Sequence, residues 1–464
     1  MSLPNIQTNA LEGSDAASAA SSPRRFAPLL LLADVCGAFA SFNLASLIRL
    51  GAPISLTSSP LYGTIFMIVF GLYLADTYQP ADERMGLQTT ARVLTANLLV
   101  AATTGFIIYF TGVWGAGKLY GRTVIAGGFV IFTVWAVFTR RVAAHWAQSQ
   151  AEQTRWLLLA PPSEGADFKA TLSELYPETE VVEVNWPARL EEADAFDLEQ
   201  WKNRDWSGVL ISHPEELPDR LVRDLMQMRL RGIPTYSLTN FSERFLQRVP
   251  PSKLEDDWFV FSPGFSLVHQ RIILRIKRSI DVGVSAALLL ALAPLMAIVA
   301  VLIKLDSEGP VFYRQTRTGV NGDKFELYKF RSMCEDAEAD GAQWTEDDDP
   351  RVTRVGQWMR KTRIDELPQL WNVLKGDMSL IGPRPERPEF DSELSDRIPY
   401  YSLRYLVKPG ISGWAQVMHR YGASEDDART KLEYDLYYIK NYSLLLDLAI
   451  ALKTLRVILF TKGR

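Results

Sequence analysis

The chain has 464 residues, 47% of them hydrophobic, with a formal net charge of −4 and two cysteines. That length calls for two or three domains. The charge balance speaks against a nucleic-acid partner, and two cysteines rule out a disulfide framework or a CxxC site. Four scattered histidines (His145, His213, His269, His419) give no zinc-ligand spacing, and the low cysteine usage fits polar domains facing a reducing cytoplasm.

Residues 1–25, rich in Ser and Ala, read as a disordered tail, and they lack the cleavage pattern of a signal peptide. Four apolar segments follow: Phe26 to Ile48, Ser59 to Leu74, Val93 to Phe110 and Thr123 to Phe138. Each approaches the ~20 residues of a membrane helix, which predicts a four-helix transmembrane bundle over 26–146. The second is the shortest and has a buried core helix as its alternative. Arg24, Arg25, Arg84, Arg92, Arg140 and Arg141 flank these segments and place both ends of the bundle in the cytoplasm; Lys118 and Arg122 weaken that bias. Asp34 and Asn43 lie inside the first segment, where helix–helix hydrogen bonding is the expected role.

Over 152–262 the pattern changes. Short apolar strands at Arg155–Ala160, Val181–Val184 and Gly208–Ser212 alternate with amphipathic stretches such as Pro218–Leu230, predicting a small α/β, Rossmann-like domain. The turn after the first strand, Pro161-Pro162-Ser163-Glu164-Gly165, has no GxGxxG to bring backbone close to a diphosphate. A structural or regulatory module is therefore expected.

The last domain spans 270–464. It opens on a basic stretch containing Lys277 and Arg278, followed by 22 uncharged residues from Val282 to Ile303. Pro294 sits near the middle of this run and breaks the helical hydrogen-bond ladder. Four preceding spans leave the chain inside, and the charges at both flanks (Lys277, Arg278, Lys304, Arg314, Arg317) keep both ends there. The expectation is a kinked, re-entrant helix hairpin over 279–304, with an ordinary fifth span as the alternative. Two strands follow, Pro310–Gln315 and Phe325–Arg331, around Asn321-Gly322, a type I′ turn signal. Alternation puts Lys329 and Arg331 on one face. Residues 335–349 are acidic and read as a mobile loop.

The segment Arg360-Lys361-Thr362-Arg363-Ile364-Asp365-Glu366-Leu367-Pro368-Gln369-Leu370 sets two adjacent carboxylates behind basic residues. Proline is tolerated only in a helix's first turn, so Pro368 places Asp365 and Glu366 at or just before a helix start. Ile364, Leu367, Leu370, Trp371 and Leu374 recur at helical spacing as its apolar face, with Asp365, Gln369 and Asn372 on another. Two prolines fix the backbone around Arg384 in Gly382-Pro383-Arg384-Pro385, which suits a rigid grip on phosphate. Lys408-Pro409-Gly410-Ile411-Ser412-Gly413-Trp414 repeats the arrangement with a lysine and an aromatic surface. Leu432 to Phe460 reads as interfacial amphipathic helices, with a plain helical core as the alternative. Carboxylates that hold a metal beside arginines that neutralise phosphate suit a Mg²⁺-bound diphosphate substrate, and an aspartate can attack phosphorus directly. A shallow membrane anchor makes the second substrate a lipid.

Lys277-Arg278…Asp281, the apolar run with its central proline, Lys329-Phe330-Arg331-Ser332-Met333, Asp365 to Leu370, Gly376 to Pro385 and Lys408 to Trp414 together resemble the bacterial polyprenyl-phosphate sugar-1-phosphate transferases, the monotopic phosphoglycosyl transferases. The match covers about residues 270–464, and the preceding bundle and α/β domain resemble the long form found in exopolysaccharide and O-antigen initiation. The resemblance implies a membrane bundle and α/β domain joined to an α+β monotopic catalytic domain with a re-entrant helix, in the bacterial inner membrane with the soluble domains facing the cytoplasm. It implies attack by Asp365 on the β-phosphorus of a UDP-sugar such as UDP-glucose or UDP-galactose, loss of UMP, and transfer of the phospho-sugar to undecaprenyl phosphate. Glu366 would join Asp365 in holding Mg²⁺. Arg384, Arg331 and Lys329 are the expected phosphate and nucleotide contacts, with Lys277, Arg278, Asp281, Arg363 and Lys408 as further substrate-binding candidates. A homodimer is implied. Ala293 stands before Pro294 where smaller members carry serine, so no hydroxyl is available at the kink. A non-catalytic scaffold or regulator of polysaccharide export is the rival class, and it predicts tolerance of Asp365→Ala.

Overall fold

The computed structural model describes residues 26–54, 59–75, 77–78, 87–111, 122–151, 155–175, 180–185, 201, 204, 206–214, 217–251, 254, 256–261, 264–265, 271–334, 349–419 and 424–460. The expected tail at 1–25, the connections carrying Arg84 and Lys118, and nearly all of the acidic segment 335–349 lie outside the described residues. The chain divides into two compact units, 1–241 and 242–464.

The first unit begins with helices α1 (Phe26–Leu50), α2 (Ser59–Leu74), α3 (Leu87–Thr111) and α4 (Arg122–Ala151). Within α1, α3 and α4, the stretches Ala27–Leu50, Thr90–Ile107 and Thr123–Trp146 are long and apolar enough to cross a membrane, whereas α2 is shorter. Phe42, Leu61, Ile68 and Phe132 are fully buried between them. Leu32, Phe66, Leu98 and Val134 point outward and are exposed. Helices that are apolar on every side fit a lipid surround.

The polar residues inside α1 take different roles. Asp34 makes the expected interhelical hydrogen bonds, and makes them to a charged partner. Arg140 of α4 grips it through both nitrogens at 2.6 Å, reaches Thr77 Oγ1 at 3.1 Å and lies over the Tyr78 ring at 5.2 Å. Arg140 thus turns inward instead of flanking the bundle in water. Asn43 does not bridge helices. Its amide donates to the Phe39 carbonyl and its oxygen accepts from the Ile54 N–H, pinning the chain that leaves α1. Removing one partner of a fully buried ion pair strands the other charge. Arg140→Ala is therefore expected to destabilise the bundle by about 3–5 kcal/mol, read as a lower midpoint of thermal unfolding in detergent micelles. Lys at 140 should recover only part of the loss, because it offers no fork to the carboxylate.

The same unit holds a four-stranded sheet: β1 (Arg155–Ala160), β2 (Glu180–Asn185), β3 (Gly208–Ile211) and β4 (Thr235–Ser237), in the order β2-β1-β3-β4 with every pairing parallel. Trp156 to Leu159 are all buried, the near-continuous apolar run that a sheet covered on both faces requires. Helix α5 (Pro162–Leu175) follows β1, and α6 (Asp219–Leu230) links β3 to β4. At the carboxyl edge, where a glycine-rich loop would cradle phosphate, Glu164 instead accepts a hydrogen bond from Ser212 and pairs with His213 Nε2 at 3.1 Å.

The second unit takes in residues from Ser242 onward. The Val249 N–H donates to the Glu433 carbonyl at 2.9 Å, Lys440 pairs with Glu243 at 2.6 Å, and Trp414 Nε1 donates to the Gln247 carbonyl at 3.0 Å. After α7 (Asp256–Phe261) comes α8 (Arg271–Asp306), 36 residues that remain helical through Pro294. Pro294 therefore does not end the helix, whose assignment is continuous from Arg271 to Asp306. Proline removes a single N–H, leaving the Leu290 carbonyl without its partner, and an apolar setting rewards keeping every other backbone bond. Both ends of α8 fasten to this unit. Arg278 donates to the carbonyls of Val373 and Leu374 at 2.5 and 2.8 Å, while Val299 and Ile303 pack with Phe330 and Met359. The stretch between exposes Leu290 and Ile298.

An antiparallel hairpin follows, β5 (Phe312–Thr318) and β6 (Lys324–Phe330). Asn321 and Gly322 both adopt positive φ, 57° and 82°, as a type I′ turn demands. Then come α9 (Arg354–Thr362), α10 (Gln369–Lys375), β7 (Ser379–Ile381), α11 (Pro388–Arg397), β8 (Gly410–Ser412), α12 (Glu425–Lys440) and α13 (Leu444–Phe460). Strands β7 and β8 pair in parallel. Of the stretch expected to lie in the interface, α12 is instead core, with Leu432, Leu436, Tyr438 and Ile439 buried. Only α13 exposes an apolar face, through Leu445, Leu448 and Ile458.

Candidate active site

The carboxylate pair sits in a tight corner. Helix α9 starts at Thr353, whose hydroxyl accepts the Gly356 N–H at 3.0 Å, and ends at Arg363 in the left-handed conformation, φ 58°. Ile364 to Glu366 then form a single 3₁₀ turn, and α10 begins directly after Pro368. This places Asp365 and Glu366 just before a helix start, the position that Pro368 indicates. The helix faces differ from expectation. Trp371 is 55% exposed, and Val373 takes its place in the core. Gln369 and Asn372, on the polar face, are buried. Asn372 explains why: its oxygen accepts the Tyr328 N–H at 3.0 Å and its amide donates to the Glu326 carbonyl at 2.6 Å. Those two bonds fasten α10 to β6 and bring Lys329 to the carboxylates.

Glu366 is the hub of the cations. Arg384 reaches its Oε1 at 2.7 Å, Lys329 at 3.6 Å and Arg363 at 3.9 Å. Burial pushes the Glu366 carboxyl up, but Arg384, Lys329 and Arg363 outweigh it and hold the group well below the usual carboxylate range. Asp365 is perturbed the other way. Burial, and next the charge of Glu366, raise it against the pull of Lys329, Arg363 and Arg384, and its Oδ1 is buried with no hydrogen-bond partner. Lys329 is lowered by burial, with Glu366 opposing. Adjacent carboxylates are thus driven apart, one fixed as an anion and the other left with an uncommitted oxygen.

The loop presenting Arg384 is braced from three sides. Gly382 packs so tightly on the neighbouring strand connection that a Cβ there would lie 2.3 Å from the Lys408 carbonyl oxygen. Arg317 donates to the Pro385 carbonyl at 3.2 Å. Buried Arg404 donates to the Arg384 carbonyl at 2.9 Å while holding Asp435 at 3.0 Å and the Tyr401 hydroxyl at 2.5 Å. Burial pushes Asp435 up to about 6 although Arg404 opposes it. The sequence carries no signal for the role of Arg404, because the Arg384 carbonyl and Asp435 lie 20 and 31 positions away; Asn372 was visible only as part of a polar stripe.

Other candidates lie elsewhere. Arg331 donates to the Ser307 carbonyl and hydroxyl at 2.8 and 2.9 Å, closing the end of α8. Lys277 binds the Ile381 carbonyl at 3.0 Å and Asp447 at 2.7 Å. Asp281 accepts from Ser379 Oγ at 2.8 Å and the Leu380 N–H at 3.2 Å. Lys408 donates to the Gly376 carbonyl at 2.7 Å, where with Arg278 it caps the carboxyl end of α10. Arg278 and Lys408 thus hold the carboxyl end of α10, while Lys277 and Asp281 hold α8 against β7. Trp414 is buried and stacks on Tyr437, so it offers no aromatic platform. Pro294 lies inside α8.

Because Asp365 is raised, any activity needing its ionised form should fall on the acid side at a pH above the ordinary aspartate range of about 3.9. A pH–rate profile of kcat/KM checks this, since the acid limb reports the essential base of the free enzyme.

Residues 272–461 match the bacterial sugar transferase family. The chain is 48% identical over 245 residues to a UDP-N-acetylgalactosamine-undecaprenyl-phosphate N-acetylgalactosaminephosphotransferase of Aeromonas hydrophila, covering 53% of this chain and 57% of that protein. It is 41% identical over 249 residues to an undecaprenyl-phosphate glucose phosphotransferase of Komagataeibacter xylinus, covering 52% and 43%. It is 48% identical over 203 residues to a UDP-glucose:undecaprenyl-phosphate glucose-1-phosphate transferase of Caulobacter vibrioides, covering 43% and 75%. The chain therefore spans about half the length of the first two relatives.

Proposed function

Because this chain belongs to the bacterial sugar transferase family, we propose that it transfers a hexose-1-phosphate from a UDP-sugar to undecaprenyl phosphate, the first membrane step of exopolysaccharide or O-antigen synthesis. The observation that carries this reading is the uncommitted, buried Oδ1 of Asp365 beside a Glu366 that gathers Arg384, Lys329 and Arg363. A carboxylate with a free oxygen can act as nucleophile, and a ring of cations suits the phosphates it would attack. In the first step an Asp365 oxygen bonds to the β-phosphorus, and the bond from that phosphorus to the bridging oxygen breaks, releasing UMP. In the second, a phosphate oxygen of undecaprenyl phosphate attacks the same phosphorus and the Asp365 carboxylate leaves. The product is undecaprenyl-diphospho-sugar.

Magnesium fits the donor set. Among the described residues no cluster of three or more His, Cys, Asp or Glu forms, and Mg²⁺ in such enzymes takes one or two carboxylates and completes its shell with phosphate oxygens and water. Asp365 and Glu366 would hold it, and when bound it would neutralise diphosphate charge. The relatives' names divide between glucose and N-acetylgalactosamine, so both sugars belong in any substrate panel with UDP-galactose. The reading includes an inner-membrane location with this site on the cytoplasmic side, α8 re-entering one leaflet, and a homodimer.

The test is nucleotide release from that UDP-sugar panel with undecaprenyl phosphate and Mg²⁺. UMP as product supports phosphoglycosyl transfer. UDP as product would mean ordinary glycosyl transfer and overturn the reading. No turnover by folded, membrane-embedded protein would favour the non-catalytic scaffold.

A further inference from the structure

Among the described residues, the amino edge of the α/β sheet in the first unit carries four arginines against one acidic residue, Glu180, which opens β2. All four strands are parallel, so their amino ends share one edge. Arg155 opens β1, Arg204 precedes β3, and Arg229 and Arg231 stand where α6 ends before β4; all four are exposed. Two apolar side chains accompany them. On α6, Met226 is 55% exposed and Leu230 79%, one turn apart, while Leu221, Leu225 and Met228 supply the buried face. The opposite edge carries Glu164 with Ser212 and His213.

The chain itself decides which edge lies near the bilayer. The apolar window of α4 ends at Trp146, and α4 ends at Ala151. Strand β1 starts at Arg155. Five helical residues and a four-step link reach at most about 22 Å, so the amino edge is tethered close to the surface from which α4 emerges. The full reach is about two to three Debye lengths at physiological salt, so the surface charge acts on the arginines only once the edge comes within about 8 Å of it.

We propose that this edge, through Arg155, Arg204, Arg229 and Arg231 with Leu230 and Met226, rests on the bilayer, and that its partner is the anionic lipid headgroup. Guanidinium groups pair with lipid phosphates, while Leu230 and Met226 enter the headgroup layer as the apolar side of an interfacial helix does. A second copy of the chain is the poorer fit. A two-fold contact through the end of α6 would set Arg229 and Arg231 against their own counterparts, whereas an anionic surface opposes them with the complementary sign. The contact would fix the orientation of the α/β domain on the membrane and turn the Glu164–Ser212–His213 edge away from it.

The experiment uses the full-length protein with Cys36→Ser and Cys334→Ser, reconstituted in nanodiscs of 70% phosphatidylcholine and 30% phosphatidylglycerol. Leu230→Cys carries an environment-sensitive fluorophore, and Ala166→Cys, exposed near the carboxyl edge, carries the control. Spin-labelled lipid should quench the probe at 230 about threefold more than that at 166, as interfacial insertion predicts. The difference should shrink in pure phosphatidylcholine, in 0.5 M salt, and with Arg229→Gln plus Arg231→Gln. Equal quenching at the two positions overturns the proposal. So does protection at 230 that appears only when two copies share a nanodisc, which would identify a second copy as the partner.

Discussion

Asp365→Asn is expected to abolish UMP release, by about 10⁴-fold or more, the scale on which loss of a covalent nucleophile is felt, while the protein keeps its fold. The substitution is nearly isosteric. The residue it replaces has an oxygen, Oδ1, that makes no hydrogen bond in the folded protein, so little native structure depends on it. Burial and the neighbouring Glu366 charge raise Asp365; its ionised form is therefore disfavoured in the folded state, and neutralising it relieves strain rather than adding it. The measurement pairs single-turnover UMP release with thermal unfolding. Loss of turnover with an unchanged or slightly raised unfolding midpoint is the expected pair of results. Trapping supplies the positive evidence: wild type incubated with a radiolabelled UDP-sugar and no lipid acceptor should retain label on the protein, and the Asn variant should retain none. Turnover within tenfold of wild type would remove Asp365 from the chemistry.

Much of this site was legible because its signals are local. Pro368 restricts where a helix can start, and the structure starts one there. Asn321-Gly322 calls for a type I′ turn, and both residues take positive φ. The prolines around Arg384 indicate a rigid loop, and Arg384 does reach the carboxylate pair. What escaped depends on contacts distant in sequence. Strand alternation sets Arg331 beside Lys329, but its guanidinium is taken by Ser307, 24 positions away at the end of α8, a partner that alternation cannot indicate. Lys277, Arg278 and Asp281 enter as substrate-binding candidates through the family resemblance, and Lys408 through its Pro-Gly loop. In the fold Arg278 and Lys408 bind carbonyls at the end of α10, while Lys277 and Asp281 tie α8 to β7, contacts that no spacing in the sequence announces. Arg140 is read as a flanking charge until the fold brings Asp34, 106 positions away, into its reach. Proline at 294 is read as a break, yet an isolated proline costs a helix one hydrogen bond, and in apolar surroundings the remainder of the ladder holds.

Glu366→Gln should act on stability and catalysis together, which separates it from the Asp365 variant. Its carboxylate is nearly buried, 10% exposed, and compensates Arg384 at 2.7 Å and Lys329 at 3.6 Å; Arg363, half exposed at 3.9 Å, adds less because solvent screens it. A glutamine keeps the shape and discards the charge, leaving cations facing one another around an uncompensated pocket. The expected destabilisation is about 3–5 kcal/mol. Its pH dependence has a defined sign. Glu366 is depressed in the folded state, so its contribution is fully present above the unfolded glutamate value of about 4.3 and is lost as pH falls through the folded value. The gap between wild type and Gln should hold steady from pH 8 to 5 and narrow below that. Catalysis should fall about 10²–10³-fold, since Arg384 loses the partner that aims it. The acid limb of the residual activity should move to lower pH, because the Glu366 charge is the second cause, after burial, that raises Asp365, and the freed cations then favour the ionised aspartate. An acid limb that stays in place would mean the two carboxylates are not coupled, and the division of roles between them would have to be abandoned.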